Sequence, residues 1–307
     1  MTDYNPQLRE RKHFETPYPN YLQRLQAFAL PADWPVKGID ESHHNTIDSY
    51  PAMVAGGYQF SIFKLTEHTT HVDTTYAERY PRMLDAGGYI GGYHFFRDNK
   101  SGTDQADHFL SHYMRLVNDA DGVIIPPMLD IETDDGAGML TRVKRAFDWL
   151  ALVEAETNRV PIVYSSPYMW SLLMGNVSLG HYSGHVAHWT SANAPAIPGG
   201  WPGWVLWQFG VAPRYSWCPA VPGVVGDIDV NRYNGTLVEF EQWVGADAPP
   251  PPPPNGDHEE RITELEENVI ALAEVYGQLS KTVQRNTGRI MTIEEKIAQA
   301  GEILNGS

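Results

Sequence analysis

One cysteine, Cys218, is all the thiol chemistry the chain carries. No internal disulfide can form, and a cysteine-built zinc site is excluded. Basic residues are scarce. There are 22 Lys and Arg against 38 Asp and Glu, which leaves a formal net charge of −16. Nucleic acid is thereby excluded as a partner, because phosphate contacts need a basic face. Anionic membrane surfaces are disfavoured on the same ground. Long apolar runs are also missing. None approaches the roughly 18–20 residues that span a bilayer, so no membrane insertion is expected. The leading stretch MTDYNPQLRERKHFETPY is charged with no apolar core behind it, which is not the pattern of a secretory signal. Action outside a cell would then need another route of release.

What the chain does have is apolar and aromatic substance. Hydrophobic residues make up 42% of its 307 positions, enough for one large core and a smaller appendage. Nine Trp and sixteen Tyr are present, most of them between residues 50 and 243. Aromatic faces stack on apolar sugar faces, and they are also ordinary core material. The organisation has four parts. Residues 1–35 read as a polar N-terminal extension, and 36–245 as the folded domain. Residues 246–256 form a linker with six consecutive prolines, Pro249 to Pro254. Such a run is an extended polyproline spacer of about 3.1 Å per residue. Residues 257–307 form a heptad-patterned tail.

Within the domain, VKGID, YQFSIFKL, GYIGGYHFF, PPMLDIE, VPIVYSS, HVAHW, WVLWQF and GDIDVN read as short apolar strands. TTYAERYPRMLDA, DQADHFLSHYMRLV and MLTRVKRAFDWLALVEAE read as helices between the earlier ones. After HVAHW the helical signals fade into Pro- and Gly-rich connections. The expected fold is α/β: an irregular TIM-like β/α barrel with reduced helices in its second half, plus a C-terminal coiled-coil helix. A doubly wound open sheet is the rival architecture. Polar residues at the strand ends favour the barrel. Asp40 ends the first strand, Asp130 and Glu132 the fourth, and Asp227 and Asp229 lie in the last. Only closure brings Asp40, Asp130, Glu132 and Asp229 to one rim.

The stretch PPMLDIETDDG sets Asp130 and Glu132 two positions apart. Residues so spaced on a strand point the same way, about 6–7 Å apart along the backbone, and suit acid chemistry on one substrate. An acidic turn is the plainer alternative, since ETDDG is rich in turn formers. GIDESHHN, GYHFFR, MLDIET, LWQF and GDIDVNRYNG, in that order and spacing, make residues 36–243 similar to glycoside hydrolase family 25, the Chalaropsis-type muramidases. The family more often has Val where Glu41 stands and Gln where Asn45 stands.

The resemblance implies hydrolysis of the β-1,4 bond between N-acetylmuramic acid and N-acetylglucosamine in peptidoglycan. It implies Glu132 as general acid, Asp130 as its partner carboxylate, and Asp40 and Asp229 in supporting roles. Glycoside hydrolysis needs an acid for the leaving oxygen and a carboxylate for the charge at C1. Whether Asp130 acts on water, on C1 directly, or by orienting the substrate's own acetamido group stays open. Tyr93, His94, Tyr164, Trp189 and Trp207 are the candidate sugar contacts near the rim. No cofactor is expected.

His181, His185 and His188 have a suggestive spacing, but GHVAHW reads as a strand with His185 and His188 on opposite faces, so no metal site is expected. YSSP at 164–167 lacks the G-x-S-x-G elbow of a serine hydrolase. In the tail, Ile262, Leu265, Val269, Leu272, Tyr276, Leu279, Val283, Asn286, Ile290, Ile293, Ile297, Ala300 and Leu304 alternate spacings of three and four. That is a heptad stripe, which buries apolar surface only against another helix. Self-association is expected, as a dimer in preference to a trimer or tetramer. The whole reads as a modular muramidase resembling a phage endolysin. It would be held in the host cytoplasm and released to the wall without a signal peptide, or carried on a virion. The alternative is a non-catalytic wall-binding or virion structural module using the same groove.

Overall fold

The computed structural model describes residues 36–245. The extension, linker and heptad tail expected from the sequence lie outside these residues. Eight strands of the central sheet form the barrel: β1 (Lys37–Glu41), β2 (Tyr58–Glu67), β3 (Tyr89–Phe95), β4 (Met128–Asp130), β5 (Ile162–Ser165), β6 (Ser183–Ala187), β7 (Leu206–Ala212) and β8 (Ile228–Tyr233), with the two-residue strand His71–Val72 paired to the end of β2. Each pairs with the next, and β1 pairs with both β2 and β8, so the sheet closes into a barrel. The helices are α1 (Tyr50–Ala55), α2 (Tyr76–Asp85), α3 (Gly102–Asp119), α4 (Met139–Thr157), α5 (Pro167–Met174) and α6 (Leu237–Val244). Among the described residues none is long and apolar enough to cross a membrane.

Local chemistry explains these elements. All but the last residue of β2 is buried, as expected for a strand with barrel interior on one face and helices on the other. Ser166 caps α5 by accepting from Met169 N, Pro167 opens its first turn, and Gly175 ends it at φ 62°. Thr236 and Glu239 form a capping box on α6. The second half carries fewer helices: α5 has eight residues, and none follows β6 or β7.

One feature departs from a uniform parallel barrel. β8 runs antiparallel to both β1 and β7. A parallel return needs a crossover, usually a helix, whereas the Pro- and Gly-containing connection 213–227 forms none. Reversal brings the start of β8, rather than its end, to the rim. Asp229 therefore stands directly opposite Asp40 in the ladder.

The other end of the barrel is closed. Phe60, Ile62, Met128, Ile162 and Leu206 pack with Phe240 and Val244 of α6 in one buried cluster. The Phe240 ring lies 5.5 Å from Phe60, 5.1 Å from Tyr89 and 5.2 Å from Tyr233. Arg159 straps this base, donating to Ile124 O and Gly122 O at 2.6 Å and to Val244 O at 3.0 Å. With an apolar floor beneath, polar side chains in the barrel concentrate at the opposite rim. Phe240→Ala is expected to cost about 3–5 kcal/mol in urea unfolding, the usual loss for a fully buried phenylalanine. A cost under about 1 kcal/mol would show that α6 is not part of the barrel core.

Candidate active site

β1, β4 and β8 carry four carboxylates to the rim: Asp40, Asp130, Glu132 and Asp229. Asp130 ends β4. Glu132 lies just past it, where Ile131 N still bonds to Tyr164 O at 3.0 Å. The loop that follows is pinned from both sides. Arg97 donates to Asp135 at 3.0 Å, while the buried Arg142 donates to Asp98 at 2.5 Å and to Asp134 at 2.6 Å.

Asp40 anchors a hydrogen-bonded chain across the barrel. Its Oδ2 accepts from Asn231 Nδ2 at 2.7 Å and from Gln208 Nε2 at 3.0 Å. Because both amides spend their nitrogens on Asp40, their oxygens face outward as acceptors. Gln208 Oε1 accepts from Tyr164 OH at 3.0 Å and Trp189 Nε1 at 2.8 Å. Asn231 Oδ1 lies 2.8 Å from His185 Nε2, which must carry the proton. Burial drops the His185 pKa to about 3, so the ring is neutral.

The four acids are held on the protonated side of normal. Burial raises Asp130 well above the usual carboxylate range, and the charges of Glu132 and Asp40 push it further. Its buried Oδ1 has no hydrogen-bond partner among the described residues, so no donor offsets that desolvation. Burial, then the Asp40 charge, raises Glu132. Burial also raises Asp40, against the opposing donors Asn231 and Gln208. Asp229 is raised to about 8 by burial and by the charges of Asp40 and Glu132. Lys64 is the main counterweight, and its charge opposes the rise in both Asp130 and Glu132. It is nearly buried, 2.6 Å from Glu67 and 4.4 Å above the Phe95 ring. The phenols of Tyr93 and Tyr164 face the acids, and burial together with those charges keeps both firmly protonated.

From Glu132 a cleft of about 490 Å³ opens between Tyr164, Ser166, Pro167 and Tyr168 on one side and Ala187, His188, Trp189 and Ala196 on the other. Trp189 is 46% exposed there. Two expected sugar contacts are corrected. His94 is fully buried on the outer face of β3, donating through Nε2 to Gln105 Oε1 at 3.1 Å, 2.7 Å from Thr66 Oγ1, and stacked on Trp149. Strand alternation sends Tyr93 inward and its neighbour outward. Trp207 is likewise buried outside β7, donating to His188 O at 2.8 Å beneath the Arg232 guanidinium, and the adjacent Gln208 faces the site.

Gln208, Asn231 and Lys64 were not singled out from the sequence. The available signal was their place on strands whose neighbours are apolar. Glu41 points away from the site. It is buried against Ser61, Tyr50 and Arg79, and Arg79 also ties down Ser42 O and Asn45 O. Asp227 is exposed and paired with Arg214 at 2.5 Å. The three spaced histidines go to separate partners: His181 to Glu154, His185 to Asn231, and His188 to Ala196 N.

A carboxyl whose folded pKa is raised keeps a proton that the unfolded chain has released. It therefore subtracts stability progressively as pH climbs from its unfolded value to its folded one. For Asp229 that window runs from 3.8 to about 8. Unfolding measured across this range is expected to show Asp229→Asn gaining stability over the native chain as pH rises, with no further gain above the window. A difference that does not vary with pH would place Asp229 outside the coupled cluster.

Comparison with known proteins agrees with this geometry. The model of Glycosyl hydrolases family 25 matches residues 39–216. The chain is 35% identical over 214 residues to Lysozyme M1 of Streptomyces globisporus, covering 67% of this chain and 70% of that protein. It is 31% identical over 196 residues to the N,O-diacetylmuramidase of Chalaropsis sp, covering 59% and 90% respectively. The crystal structure of the bacterial lysozyme from Streptomyces coelicolor superposes with a TM-score of 0.62 at 30% identity, covering 70% of this chain and 99% of that one. The chain belongs to glycosyl hydrolase family 25 and is a glycoside hydrolase.

Proposed function

We propose that the enzyme cleaves the β-1,4 bond between N-acetylmuramic acid and N-acetylglucosamine in peptidoglycan. The observation that carries this reading is the convergence of Asp40, Asp130, Glu132 and Asp229 at the open end of the barrel beside an aromatic-walled cleft. Glu132 protonates the glycosidic oxygen. Burial and the Asp40 charge supply the neutral acid that this step needs at moderate pH. Asp130 meets the positive charge that develops at C1. It does so as a carboxylate that has already given its proton to water, and burial, which makes that charge costly beforehand, strengthens its attraction to the charge at C1. Asp40 and Asp229 tune the pair and hold sugar hydroxyls. Tyr93, Tyr164 and Trp189 contact the glycan. Proton transfer and charge stabilisation by carboxyls require no cofactor.

A wall-binding module without catalysis would gain nothing from desolvating four like charges, so the acid cluster supports hydrolysis. The chain's modular plan supports a role as a phage-type lysin: a catalytic barrel at 36–245, a proline spacer at 246–256 and a heptad tail at 257–307. The tail is read as a self-associating coiled coil that gathers several catalytic domains, raising avidity for a repeating wall.

Glu132→Gln is nearly isosteric but cannot deliver a proton. It is expected to lower hydrolysis of purified peptidoglycan by roughly 10²–10⁴-fold with the fold unchanged. The native products should carry new reducing ends on muramic acid by mass analysis. Ends on glucosamine, or near-normal activity of the variant, would overturn the assignment. Light scattering of the full-length chain at micromolar concentration is expected to show an oligomer. A monomer there would remove the role given to the tail.

A further inference from the structure

Tyr168 has no part in the acid chemistry described above. It is 71% exposed near the start of α5, and no hydrogen bond to its hydroxyl exists among the described residues. An aromatic ring so open to water adds little to folding. Its position is nevertheless set firmly. The N-cap bond from Met169 N to Ser166 and the ring of Pro167 hold the backbone on either side, and Trp170, Leu173 and Met174 bury the helix's other face. Trp189, on the facing loop, is fixed as well. Its Nε1 is bonded to Gln208, and Tyr215 stands 6.1 Å behind it.

Both rings line the cleft that Glu132 borders, and Asp40, Asp130 and Asp229 do not. The sugar that is attacked must lie over those three acids, so the space beyond Glu132 falls on the leaving-group side. Glu132 is the only Asp, Glu, Lys or Arg in the lining. A free lactyl or stem-peptide carboxylate would want a cationic partner, and the lining has no Lys or Arg. A neutral hexosamine presents an apolar ring face, and its hydroxyl and acetamido groups need only neutral polar partners such as Ser166 and His188.

We propose that Tyr168 and Trp189 form a binding subsite for the N-acetylglucosamine that leaves when the bond is cut. The inference rests on the muramidase reading, which fixes the leaving sugar, and adds to it a residue and a place in the cleft for that sugar. Tyr168 acts there as a stacking platform, so the ring matters and the hydroxyl does not.

The test compares kcat/KM on two soluble substrates with the same muramic donor. One is a peptide-free tetrasaccharide, which retains the leaving sugars, and the other is the disaccharide fluoride, which has none. Tyr168→Ala is expected to reduce the tetrasaccharide-to-fluoride ratio about tenfold, the scale of one lost stacking contact, and Tyr168→Phe to keep it. An equal loss on both substrates would overturn the subsite, because Tyr168 would then be shaping the acid site. So would a loss confined to glycans that carry stem peptides, because the occupant would then be peptide. An unchanged ratio with a native enzyme that cuts the tetrasaccharide overturns the subsite alone. A native enzyme that leaves the tetrasaccharide uncut overturns the muramidase reading, and the subsite falls with it.

Discussion

Four carboxylates that repel one another while partly withdrawn from water are the constraint around which the barrel is arranged. Each would rather be solvated, and each makes ionisation of the others harder. The surrounding structure holds them through fixed dipoles and a few cations, Lys64 foremost, with Arg97 and Arg214 beside it. Asn231 and Gln208 both donate to Asp40, Lys64 opposes the rise in Asp130 and Glu132, and the phenols of Tyr93 and Tyr164 remain protonated beside them. These groups need rigid support. The apolar floor under Phe240 and the arginine-pinned loop after Glu132 provide it from opposite ends of the strands.

The same constraint accounts for the chemistry. In the proposed reaction, a cluster that holds protons above the ordinary carboxylate range has an acid ready for a leaving oxygen, and burial strengthens the pull of an ionised neighbour on positive charge. Asp40 anchors the hydrogen-bonded chain that runs through the Gln208 amide to Trp189. The cleft wall and the acid cluster are thus mechanically joined, and a load on the indole bears on the Gln208–Asp40 contact.

Much of the fold could be read along the chain. The eight strand segments and three long helices lie where apolar runs and helical periodicity place them, and no helix follows the sixth or seventh strand, as the Pro- and Gly-rich connections after HVAHW imply. The four carboxylates could be found as well, because an acid at the end of an apolar strand is conspicuous. His94 and Trp207 were misplaced for one shared reason. Residue type suggested a sugar contact, but facing in a strand alternates residue by residue, and Tyr93 and Gln208 hold the inward positions. Gln208 and Asn231 are harder to find, because a polar residue on an apolar strand signals a buried partner without naming it. Its meaning comes from an acceptor 168 or 191 positions away.

The sequence by itself determined the local elements, the positions of the acids and the family, since these depend on neighbours within a few residues and on motif order. Tertiary structure alone decided the direction of the last strand, the face each side chain took and the protonation of the site. Strand direction depends on how a helix-free connection must turn. Facing depends on register across a closed sheet. Protonation depends on burial and on charges that only barrel closure brings together.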